Sequence, residues 1–357
     1  MLPYKSILIT GGTGSFGKAF ITTILQNHPE VERLIVLSRD EFKQFEMSNM
    51  SVFKNQDRLR FFVGDVRDKD RLYRAFDGVD VVIHAAALKQ VPSCEYNPFE
   101  AIKTNIMGAQ NVIDAAIDRK VKRVIALSTD KACAPINLYG ATKLCSDKLF
   151  IAGNVYAGSH DTRFSVVRYG NVAGSRGSVI PYFQELLAAG AKELPITDYR
   201  MTRFWLQLEQ AVDMVLMALH SMQGGELFVK KIPSMRVVDL AYALAPDIRL
   251  REVGIRPGEK VHEMMITTED AYYTTEFDTH YVIRPAFDVV KKLLPGGKPV
   301  DRDFEYHSGN NTEWLSIEQM HTMIANLSSQ ENSDTGYETK PAITGMPKRV
   351  REMLDVL

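Results

Sequence analysis

Close to its start the chain reads Ser6-Ile7-Leu8-Ile9-Thr10-Gly11-Gly12-Thr13-Gly14-Ser15-Phe16-Gly17, an apolar run of strand length followed by a glycine-rich turn. The pattern G-x-x-G-x-x-G permits a tight turn, a close backbone approach to a pyrophosphate and close packing of a helix on a strand. A helix that begins after the turn presents free N–H groups and its positive dipole end to phosphates. The stretch therefore predicts a dinucleotide-binding turn formed by Gly11, Thr13, Gly14, Ser15, Phe16 and Gly17. A purely structural glycine turn is the alternative interpretation.

Further apolar runs follow in the first half of the chain, at 33–37, 59–63, 79–83, 124–127 and 164–167. They are short, rich in β-branched residues and nearly continuous in apolarity, as strands buried on both faces of a parallel sheet are. Segments of helix length, such as 18–27 and 98–120, separate them. This alternation predicts an α/β fold built on a Rossmann-like, doubly wound parallel sheet.

The alternation weakens after residue 175, which suggests a second unit. We predict a dinucleotide-binding domain over 1–175 and, over 176–330, mainly a smaller C-terminal substrate-binding lobe. The chain is expected to return to the first domain at 203–235. Helices are predicted at 179–189 and 209–222, residues 331–357 are assigned to a C-terminal tail, and the polar stretch 327–340 is predicted to be a surface loop or mobile segment.

Composition argues against several classes of protein. The 357 residues are 45% apolar and 24% charged, which suits a globular chain with a full core. The 43 basic and 44 acidic residues leave a net charge of −1, which argues against a general nucleic-acid binder. Three cysteines without metal-ligand spacing indicate no metal site and a reducing compartment. Since the sequence contains neither a long apolar stretch nor a signal peptide, no membrane insertion is expected and a cytoplasmic protein is predicted.

The end of the second predicted strand bears on which dinucleotide is bound. It carries Ser38, Arg39 and, one helical turn further on, Lys43. The two cations could embrace a 2′-phosphate, which favours NADP, whereas the adjacent Asp40 could bond a ribose 2′-hydroxyl and keeps NAD as the alternative. After the third strand, Asp65 and Val66 are placed to contact the adenine, although Asp65 could equally be a turn residue.

Tyr139 and Lys143 stand four residues apart, so a helix would place both side chains on one face. The ammonium can then lower the pKa of the phenol and hold a ribose. Such a pair often arises by chance, so the evidence for a catalytic role is its position in the chain. It follows the predicted strand 124–127 and the polar loop Ser128-Thr129-Asp130-Lys131.

These features together resemble the extended short-chain dehydrogenase/reductase superfamily. The glycine turn, Asn105 before a helix, a Ser/Thr after the next strand and the Tyr139–Lys143 pair carry the resemblance. Within that superfamily the chain resembles the inverting UDP-N-acetylglucosamine 4,6-dehydratases, soluble enzymes that make the first intermediate of pseudaminic acid. The motifs behind this closer resemblance lie at 127–132, 168–172, 174–179, 201–205 and 254–260.

The resemblance implies a reaction, a cofactor and a set of site residues. UDP-N-acetylglucosamine would lose water across C5 and C6 with inversion at C5, on a catalytic NADP, to give UDP-2-acetamido-2,6-dideoxy-β-L-arabino-hex-4-ulose. A homo-oligomer, dimeric or hexameric, is expected. Catalysis is assigned to Thr129, Asp130, Lys131, Tyr139 and Lys143. Further cofactor contacts are assigned to Ala85, Ala87, Lys89, Asn105, Tyr139, Lys143 and Val172, and substrate contacts to Lys89, Lys131, Asn171, Arg203 and Arg256.

The Asp130–Lys131 pair could supply the acid and the base that a dehydration needs. Loss of water across C5 and C6 needs a base for the C5 proton, for which we choose Lys131, and an acid for the C6 hydroxyl, for which we choose Asp130. A lysine is a base only if burial or a nearby cation lowers its pKa, and Lys89 is the candidate cation. Arg203 and Arg256 are candidates to clamp the diphosphate, because guanidinium forks fit phosphate oxygens.

Three alternatives to this interpretation stay open. The chain could be a UDP-sugar 4-epimerase, which would leave C6 oxygenated. It could be a dehydratase that retains the configuration at C5. It could also be a scaffold that binds a dinucleotide without catalysis, although the complete set of five catalytic candidates argues against this.

Overall fold

A computed structural model describes residues 1–173, 179–286 and 295–334 of the chain. Its first half alternates strands and helices, as the apolar runs predict. The strands are β1 (Ser6–Thr10), β2 (Arg33–Ser38), β3 (Leu59–Val63), β4 (Val81–His84), β5 (Arg123–Thr129) and β6 (Arg163–Tyr169). The helices are α1 (Ser15–Asn27), α2 (Glu41–Asn49), α3 (Lys69–Ala75), α4 (Val91–Tyr96), α5 (Pro98–Ile102), α6 (Gly108–Asp118) and α7 (Leu138–Tyr156). A π-helical turn, Lys103–Met107, separates α5 from α6, and a 3₁₀ turn, Asp130–Ala132, follows β5.

These strands pair in parallel in the order β3-β2-β1-β4-β5-β6, which is a doubly wound arrangement. Every residue of β1 is buried, because the sheet is covered on both faces. Leu8 and Val82 belong to the apolar core on one face, and Ile7 and Ile83 belong to the core on the other. The predicted Rossmann-like fold is therefore confirmed.

The second half consists of shorter elements. Its strands are β7 (Asn171–Val172), β8 (Glu193–Ile196), β9 (Thr202–Leu206), β10 (Leu227–Lys230), β11 (Ser234–Arg236), β12 (Arg249–Glu252), β13 (Met264–Ile266), β14 (Thr274–Glu276), β15 (His280–Ile283), β16 (Lys298–Pro299) and β17 (Tyr306–His307). Its helices are α8 (Val179–Ala188), α9 (Leu208–Ser221), α10 (Val237–Leu244), α11 (Thr268–Ala271) and α12 (Ile317–Asp334). Small sheets of the orders β11-β9-β7, β12-β8 and β13-β17 build a smaller C-terminal lobe.

The second half also extends the large sheet. Strand β10 pairs in parallel with β6, and β15, β14 and β16 continue the sheet beyond it in antiparallel fashion, so that ten strands are joined within the described residues. Helix α9 packs on α1 and buries Val212 and Val215 in the core beneath. Both β10 and α9 lie in the segment 203–235. The division of the chain at residue 175 stays a prediction.

The polar stretch 327–340 is not the predicted loop where the structure describes it. Helix α12 continues through Asp334, and residues 335–340 lie outside the described residues. The helix is anchored in the lobe by Met320 and Ile324, and Trp205 donates a hydrogen bond from Nε1 to Met323 Sδ at 2.9 Å. Because its first turns are packed, the helix extends through polar residues whose composition alone suggests a loop.

Of the motif 174–179, only Val179 lies within the described residues. No helix among the residues that the structure describes is long and apolar enough to cross a membrane.

Candidate active site

The glycine turn between β1 and α1 is packed so closely that side chains would collide with neighbouring backbone. Gly11 has a φ of +67°, which favours glycine, and a Cβ there would stand 3.0 Å from backbone atoms of Ala86. A Cβ on Gly17 would collide with the backbone of Gly12. Gly14 is the N-cap of α1 and makes no side-chain cap hydrogen bond. A tight glycine turn before a helix without a side-chain cap fits the phosphates of a dinucleotide.

The loop after β4 lies against this turn. Ala86 donates its N–H to Thr10 Oγ1 at 3.2 Å, and the same hydroxyl lies 2.8 Å from His84 Nδ1. Burial, aided by the charge of Lys143, lowers the pKa of His84 to about 3, so this histidine is a neutral core residue. The predicted contacts Ala85 and Ala87 are half-buried beside the turn, as are Thr13 and Phe16, while Ser15 is exposed.

Asn105 is used within the protein. It is 1% exposed in the π-helical turn, accepts a hydrogen bond from Leu88 N–H at 2.8 Å and donates to the Leu88 carbonyl at 2.9 Å and to Thr142 Oγ1 at 3.0 Å. The sequence analysis predicts that Asn105 contacts the cofactor. In the structure its side chain instead connects the loop after β4 to α7 by hydrogen bonds. Lys89, which follows this tie, is exposed.

The end of β2 presents two cations to solvent. Arg39 lies 4.0 Å from Asp65, and Lys43 lies 3.4 Å from Asp40, with both cationic side chains about half exposed. Asp40 is the N-cap of α2, and its carboxylate accepts a hydrogen bond from the N–H of Lys43 at 3.0 Å. This carboxylate therefore caps the helix. Asp65 also accepts from Arg67. The other predicted contacts nearby are Ser38, whose hydroxyl accepts a hydrogen bond from Gln44, and the buried Val66.

The end of β5 carries the predicted catalytic residues. Thr129 caps the 3₁₀ turn that holds Asp130 and Lys131, and its hydroxyl donates to Asp130 Oδ1 at 2.9 Å. Helix α7 follows and carries Tyr139 and Lys143 one turn apart. A Cβ on Gly140 would collide with the Lys131 carbonyl, so glycine lets α7 approach the turn closely. The structure thus brings the five predicted catalytic residues into one place.

Tyr139 is half-buried and Lys143 is buried. Burial raises the pKa of Tyr139 to about 12, although Lys131 and a hydrogen bond with Thr129 oppose this rise. Burial lowers the pKa of Lys143, which is 3% exposed, and Asp147 one turn further along α7 opposes that fall. The expected lowering of the Tyr139 pKa is therefore wrong: burial outweighs the cations, and the largest opposing effect comes from Lys131.

Lys131 lies between two carboxylates, only one of which the sequence identifies. Its Nζ is 3.2 Å from Asp130 Oδ1 and 3.1 Å from Glu263 Oε1, and Arg203 Nε lies 3.8 Å from the same Glu263 oxygen. Burial raises the pKa of Asp130, and the charge of Glu263 adds to this effect while Lys131 opposes it. Burial also disfavours the Glu263 carboxylate, but Lys131 and Arg203 hold its pKa below the usual value.

The expectation that the pKa of Lys131 is lowered is wrong. Burial alone would lower it, but Asp130 and Glu263 outweigh burial and raise the pKa of this ammonium above its ordinary value. The cation that acts against them is Arg203, and its effect is smaller than that of either carboxylate. Lys89, which the sequence suggested as the cation that lowers the pKa of Lys131, is exposed. Glu263 lies far along the chain and was not predicted.

A second buried ion pair supports α7. Asp147 accepts from Ser128 Oγ at 2.6 Å and from Arg168 Nη2 at 3.3 Å, and Arg168 also donates to the Met265 carbonyl at 2.9 Å. Both members of the pair are nearly inaccessible to solvent. Arg168 stands in one of the motifs that carry the family resemblance, but the sequence offered no signal that it pairs with Asp147.

The predicted substrate residues fall into different environments. Asn171, on β7 with Val172, has a buried Oδ1 without a hydrogen-bond partner among the described residues, which suits a contact to a ligand. Arg256 is half exposed and lies 3.1 Å from Glu259, so it stays available as a clamp. Arg203 is 9% exposed and donates to the carbonyls of Thr202 and Val261, which places it in the buried charge cluster.

The loop that carries Arg256 is attached to the catalytic segment. Asn137, the N-cap of α7, donates from Nδ2 to the Gly258 carbonyl at 2.9 Å. Lys260 donates to the Cys133 carbonyl at 2.6 Å. These bonds connect the smaller lobe to the stretch between Lys131 and Tyr139.

Several known proteins are similar to this chain in sequence and in fold. The polysaccharide biosynthesis protein family matches residues 7–285. A relative from Campylobacter jejuni subsp. jejuni serotype O:23/36 (strain 81-176), named UDP-N-acetylglucosamine 4,6-dehydratase (inverting), is 56% identical over 328 residues, which cover 90% of this chain and 97% of the relative. A relative from Rickettsia akari (strain Hartford), named UDP-glucose 4-epimerase, is 40% identical over 332 residues, which cover 90% of this chain and 96% of the relative. The solved structure of DesIV, a dTDP-glucose 4,6-dehydratase from Streptomyces venezuelae with NAD and TYD bound, matches with a TM-score of 0.63 and 25% identity over 72% of this chain and 86% of that chain.

Proposed function

The chain belongs to the polysaccharide biosynthesis protein family, and from that membership we propose that it dehydrates UDP-N-acetylglucosamine across C5 and C6 with inversion at C5. The observation that carries the proposal is the cluster at the end of β5, where Asp130 and Lys131 lie beside the Tyr139–Lys143 pair. The name of the Campylobacter relative agrees with this assignment. The product would be UDP-2-acetamido-2,6-dideoxy-β-L-arabino-hex-4-ulose.

The glycine turn and the start of α1 fit a nicotinamide dinucleotide, and the related dehydratase DesIV binds NAD. When bound, this cofactor would accept the hydride that C4 loses and donate the hydride that C6 gains, so that it ends unchanged. We propose NADP in this chain, because Arg39 and Lys43 offer two cations to a 2′-phosphate while Asp40 caps α2. NAD is the alternative.

Residues of the chain handle the protons of the proposed reaction. Thr129 would hydrogen-bond the C4 oxygen, and Tyr139 would take its proton. Asp130, whose carboxyl has a raised pKa, would give its proton to the departing C6 hydroxyl. Lys131 would remove the C5 proton, and a proton returned to the opposite face would invert C5. Asn171 and Arg256 would hold the sugar and the diphosphate.

A UDP-sugar 4-epimerase is the second candidate, and the name of the Rickettsia relative supports it. Epimerisation at C4 needs hydride transfer and a Tyr–Lys pair, but it needs no acid for a C6 hydroxyl. The buried Asp130 beside Lys131 therefore favours dehydration.

Product analysis tests the proposal. The purified protein is incubated with UDP-N-acetylglucosamine, and the nucleotide sugar is examined by mass spectrometry and proton NMR. Dehydration gives a product lighter by one water with a methyl doublet from C6. A product of unchanged mass that differs only at C4 would contradict the proposal and support the epimerase.

Two finer statements belong to the same proposal. The product would serve as the first intermediate of pseudaminic acid, and the chain would assemble as a homo-oligomer, dimeric or hexameric. Light scattering coupled to size-exclusion chromatography distinguishes a dimer or hexamer from a monomer.

A further inference from the structure

Glu263 is a buried acidic residue to which the proposed reaction assigns no task. It is 3% exposed, and its Oε1 lies 3.1 Å from the Nζ of Lys131. Its Oε2 is buried and has no hydrogen-bond partner among the described residues. A carboxylate this close to the proposed C5 base must influence where the proton of that base resides.

The backbone of Glu263 is fixed by Ser308. Glu263 N–H donates to Ser308 Oγ at 2.9 Å, and Ser308 N–H donates to the Glu263 carbonyl at 2.8 Å. The Ser308 hydroxyl in turn lies 2.7 Å from Thr202 Oγ1. Because these bonds hold Glu263 just before β13, its carboxylate is presented to Lys131 from the smaller lobe.

The proposed reaction needs Lys131 as a neutral amine, yet the cluster favours the ammonium. The Lys131 side chain is 24% exposed, so some water still reaches the pair. A bound sugar would cover it and exclude that water. In a drier environment an ion pair is disfavoured relative to a neutral amine and a neutral carboxylic acid. Proton transfer from Lys131 to a neighbouring carboxylate is then less unfavourable than in the absence of the sugar.

The two carboxylates beside Lys131 differ in their readiness to accept this proton. Asp130 is 1% exposed, and burial together with Glu263 raises its pKa, which suits a group that already holds a proton for the C6 hydroxyl. Lys131 and Arg203 lie next to the Glu263 carboxylate and lower its pKa, so this group is ionised and can take up a proton. The neighbouring charges therefore give the two carboxyl groups different protonation states.

We propose, on the premise of the 4,6-dehydration above, that Glu263 accepts a proton from Lys131 and so converts it into the amine that removes the C5 proton. The Nζ–H bond breaks and an O–H bond forms on Glu263, with no change in the total charge of the pair. Lys131 then binds the C5 proton, and the C5–H electron pair forms the C5–C6 double bond. The C6–O bond breaks as Asp130 supplies its proton, and water leaves. Glu263 touches no sugar atom in this scheme, so it is a positioning residue that acts through Lys131.

The variant Glu263→Gln tests this task. Glutamine keeps the size and polarity of the side chain but cannot take the proton. We expect kcat for the 6-deoxy product to fall by about 10²–10⁴-fold, as for a lost general base, with KM nearly unchanged. Oxidation at C4 does not need Glu263, so addition of UDP-N-acetylglucosamine should still give the absorbance of reduced cofactor.

The pH profile separates proton acceptance from a structural role. The charged groups that face Glu263 are Lys131, Arg203 and Lys260, and Asp130 faces it across Lys131. Loss of the Glu263 charge lowers the pKa of Lys131, but in Glu263→Gln this ammonium must lose its proton to solvent, so the residual kcat should rise with pH, by up to about tenfold per unit, until that lowered pKa is passed. The unmodified enzyme passes the proton internally, and its kcat should change little over the same range.

Glu226→Gln is the matched control. Glu226 is another buried carboxylate, 5% exposed between β6 and β10, where it accepts from Ser165 Oγ at 2.7 Å. This substitution should leave kcat and its pH profile unchanged. Glu263→Asp keeps a carboxylate and answers the question even if the glutamine variant does not fold. Its kcat should exceed that of Lys131→Ala and show the flat profile of the unmodified enzyme.

The outcomes separate this inference from the function on which it rests. A Glu263→Gln enzyme with unchanged kcat, or with a residual kcat that does not depend on pH, overturns the inference. A Glu263→Asp enzyme as inactive as Lys131→Ala also overturns it. If the unmodified protein only interconverts C4 epimers, the proposed dehydration itself fails, whatever the variants do.

Discussion

At the scale of single residues, the candidate site depends on charges buried next to one another. Asp130 and Glu263 are almost inaccessible, and Lys131 and Arg203 supply the two cations beside them. Removal of one partner from such a cluster leaves a buried charge uncompensated, which is strongly destabilising. Effects of single substitutions here must therefore be separated into folding and chemistry, for which the absorbance of reduced cofactor is the simplest indicator.

The proposed preference for NADP depends on an exposed residue, Arg39. In Arg39→Asp, a charge-assisted contact to a 2′-phosphate is lost, and an interaction of this kind contributes about 1.5–3 kcal/mol. The affinity for NADP should fall by roughly 10- to 100-fold, whereas the affinity for NAD should change far less. Calorimetric titration with each dinucleotide measures both values. Arg251→Asp, at an exposed arginine paired with Glu193 on the small β8–β12 sheet, is the control. Equal losses for both dinucleotides would show that Arg39 does not contact the 2′-phosphate.

The sequence predicts that the five catalytic candidates lie together because they are close in the chain. Thr129 to Lys143 form one strand end, one turn and one helix, so spacing alone places them in contact. Glu263 could not be found in this way, since it reaches Lys131 only after the smaller lobe folds over the sheet. The wrong expectation for the pKa of Lys131 has the same origin, because its sign depends on that distant carboxylate.

At the scale of elements, helix α7 combines two tasks. One face carries Tyr139 and Lys143 to the end of β5, and one turn later Asp147 forms buried bonds with Ser128 of β5 and Arg168 of β6. The helix is thus attached to the two strands that it crosses. Its catalytic residues are held in place by the same contacts that stabilise the fold.

Replacement of Asp147 by alanine should test that attachment. The buried Arg168 would lose its partner, so we expect the free energy of unfolding to fall by about 3–5 kcal/mol in denaturant titrations. The pKa of Lys143 should fall further, because Asp147 is the group that opposes burial there. Asp239→Ala removes a comparable pair with Arg236 at the surface and should cost no more than about 1 kcal/mol. Similar losses in both variants would contradict the structural role of the buried pair.

Elements were predicted well where burial leaves a pattern in the sequence. Strands β1, β2, β4, β5 and β6 are buried along nearly their whole length, and their continuous apolarity reveals them. Strands β14 and β16 read Thr274-Thr275-Glu276 and Lys298-Pro299, which carry no apolar run, and they join the sheet only by pairing with strands already in place. Helix α12 is not among the predicted helices, and beyond residue 327 its polar composition indicates a loop instead.

At the scale of the whole molecule, the smaller lobe and the sheet depend on each other. The lobe reaches the catalytic segment through Lys260 and Gly258, and it supplies Glu263 to Lys131. The sheet in turn receives β10 and α9 from the second half of the chain. The molecule therefore forms its site only when both halves are folded.

A fragment of residues 1–173 should not fold as an independent domain. It lacks Val212, Val215 and Phe228, which share a core with Ile7 and Phe20. Near-ultraviolet circular dichroism during denaturant titration should show no cooperative transition for the fragment, in contrast to the full chain. A cooperative transition of the fragment alone would show that the predicted division at residue 175 marks an autonomous unit.

In the proposed dehydration Lys131 exchanges the C5 proton, and incorporation of solvent deuterium at C5 reports this exchange. The unmodified protein and Lys131→Ala are incubated with UDP-N-acetylglucosamine in D₂O, and the sugar is analysed by NMR. We predict deuterium at C5 and a 6-deoxy product for the unmodified protein. For Lys131→Ala we predict reduced cofactor without C5 exchange, and a product rate lower by about 10²–10⁴-fold. A 6-deoxy product formed by Lys131→Ala at the unmodified rate, or C4 epimers alone from the unmodified protein, would contradict the account.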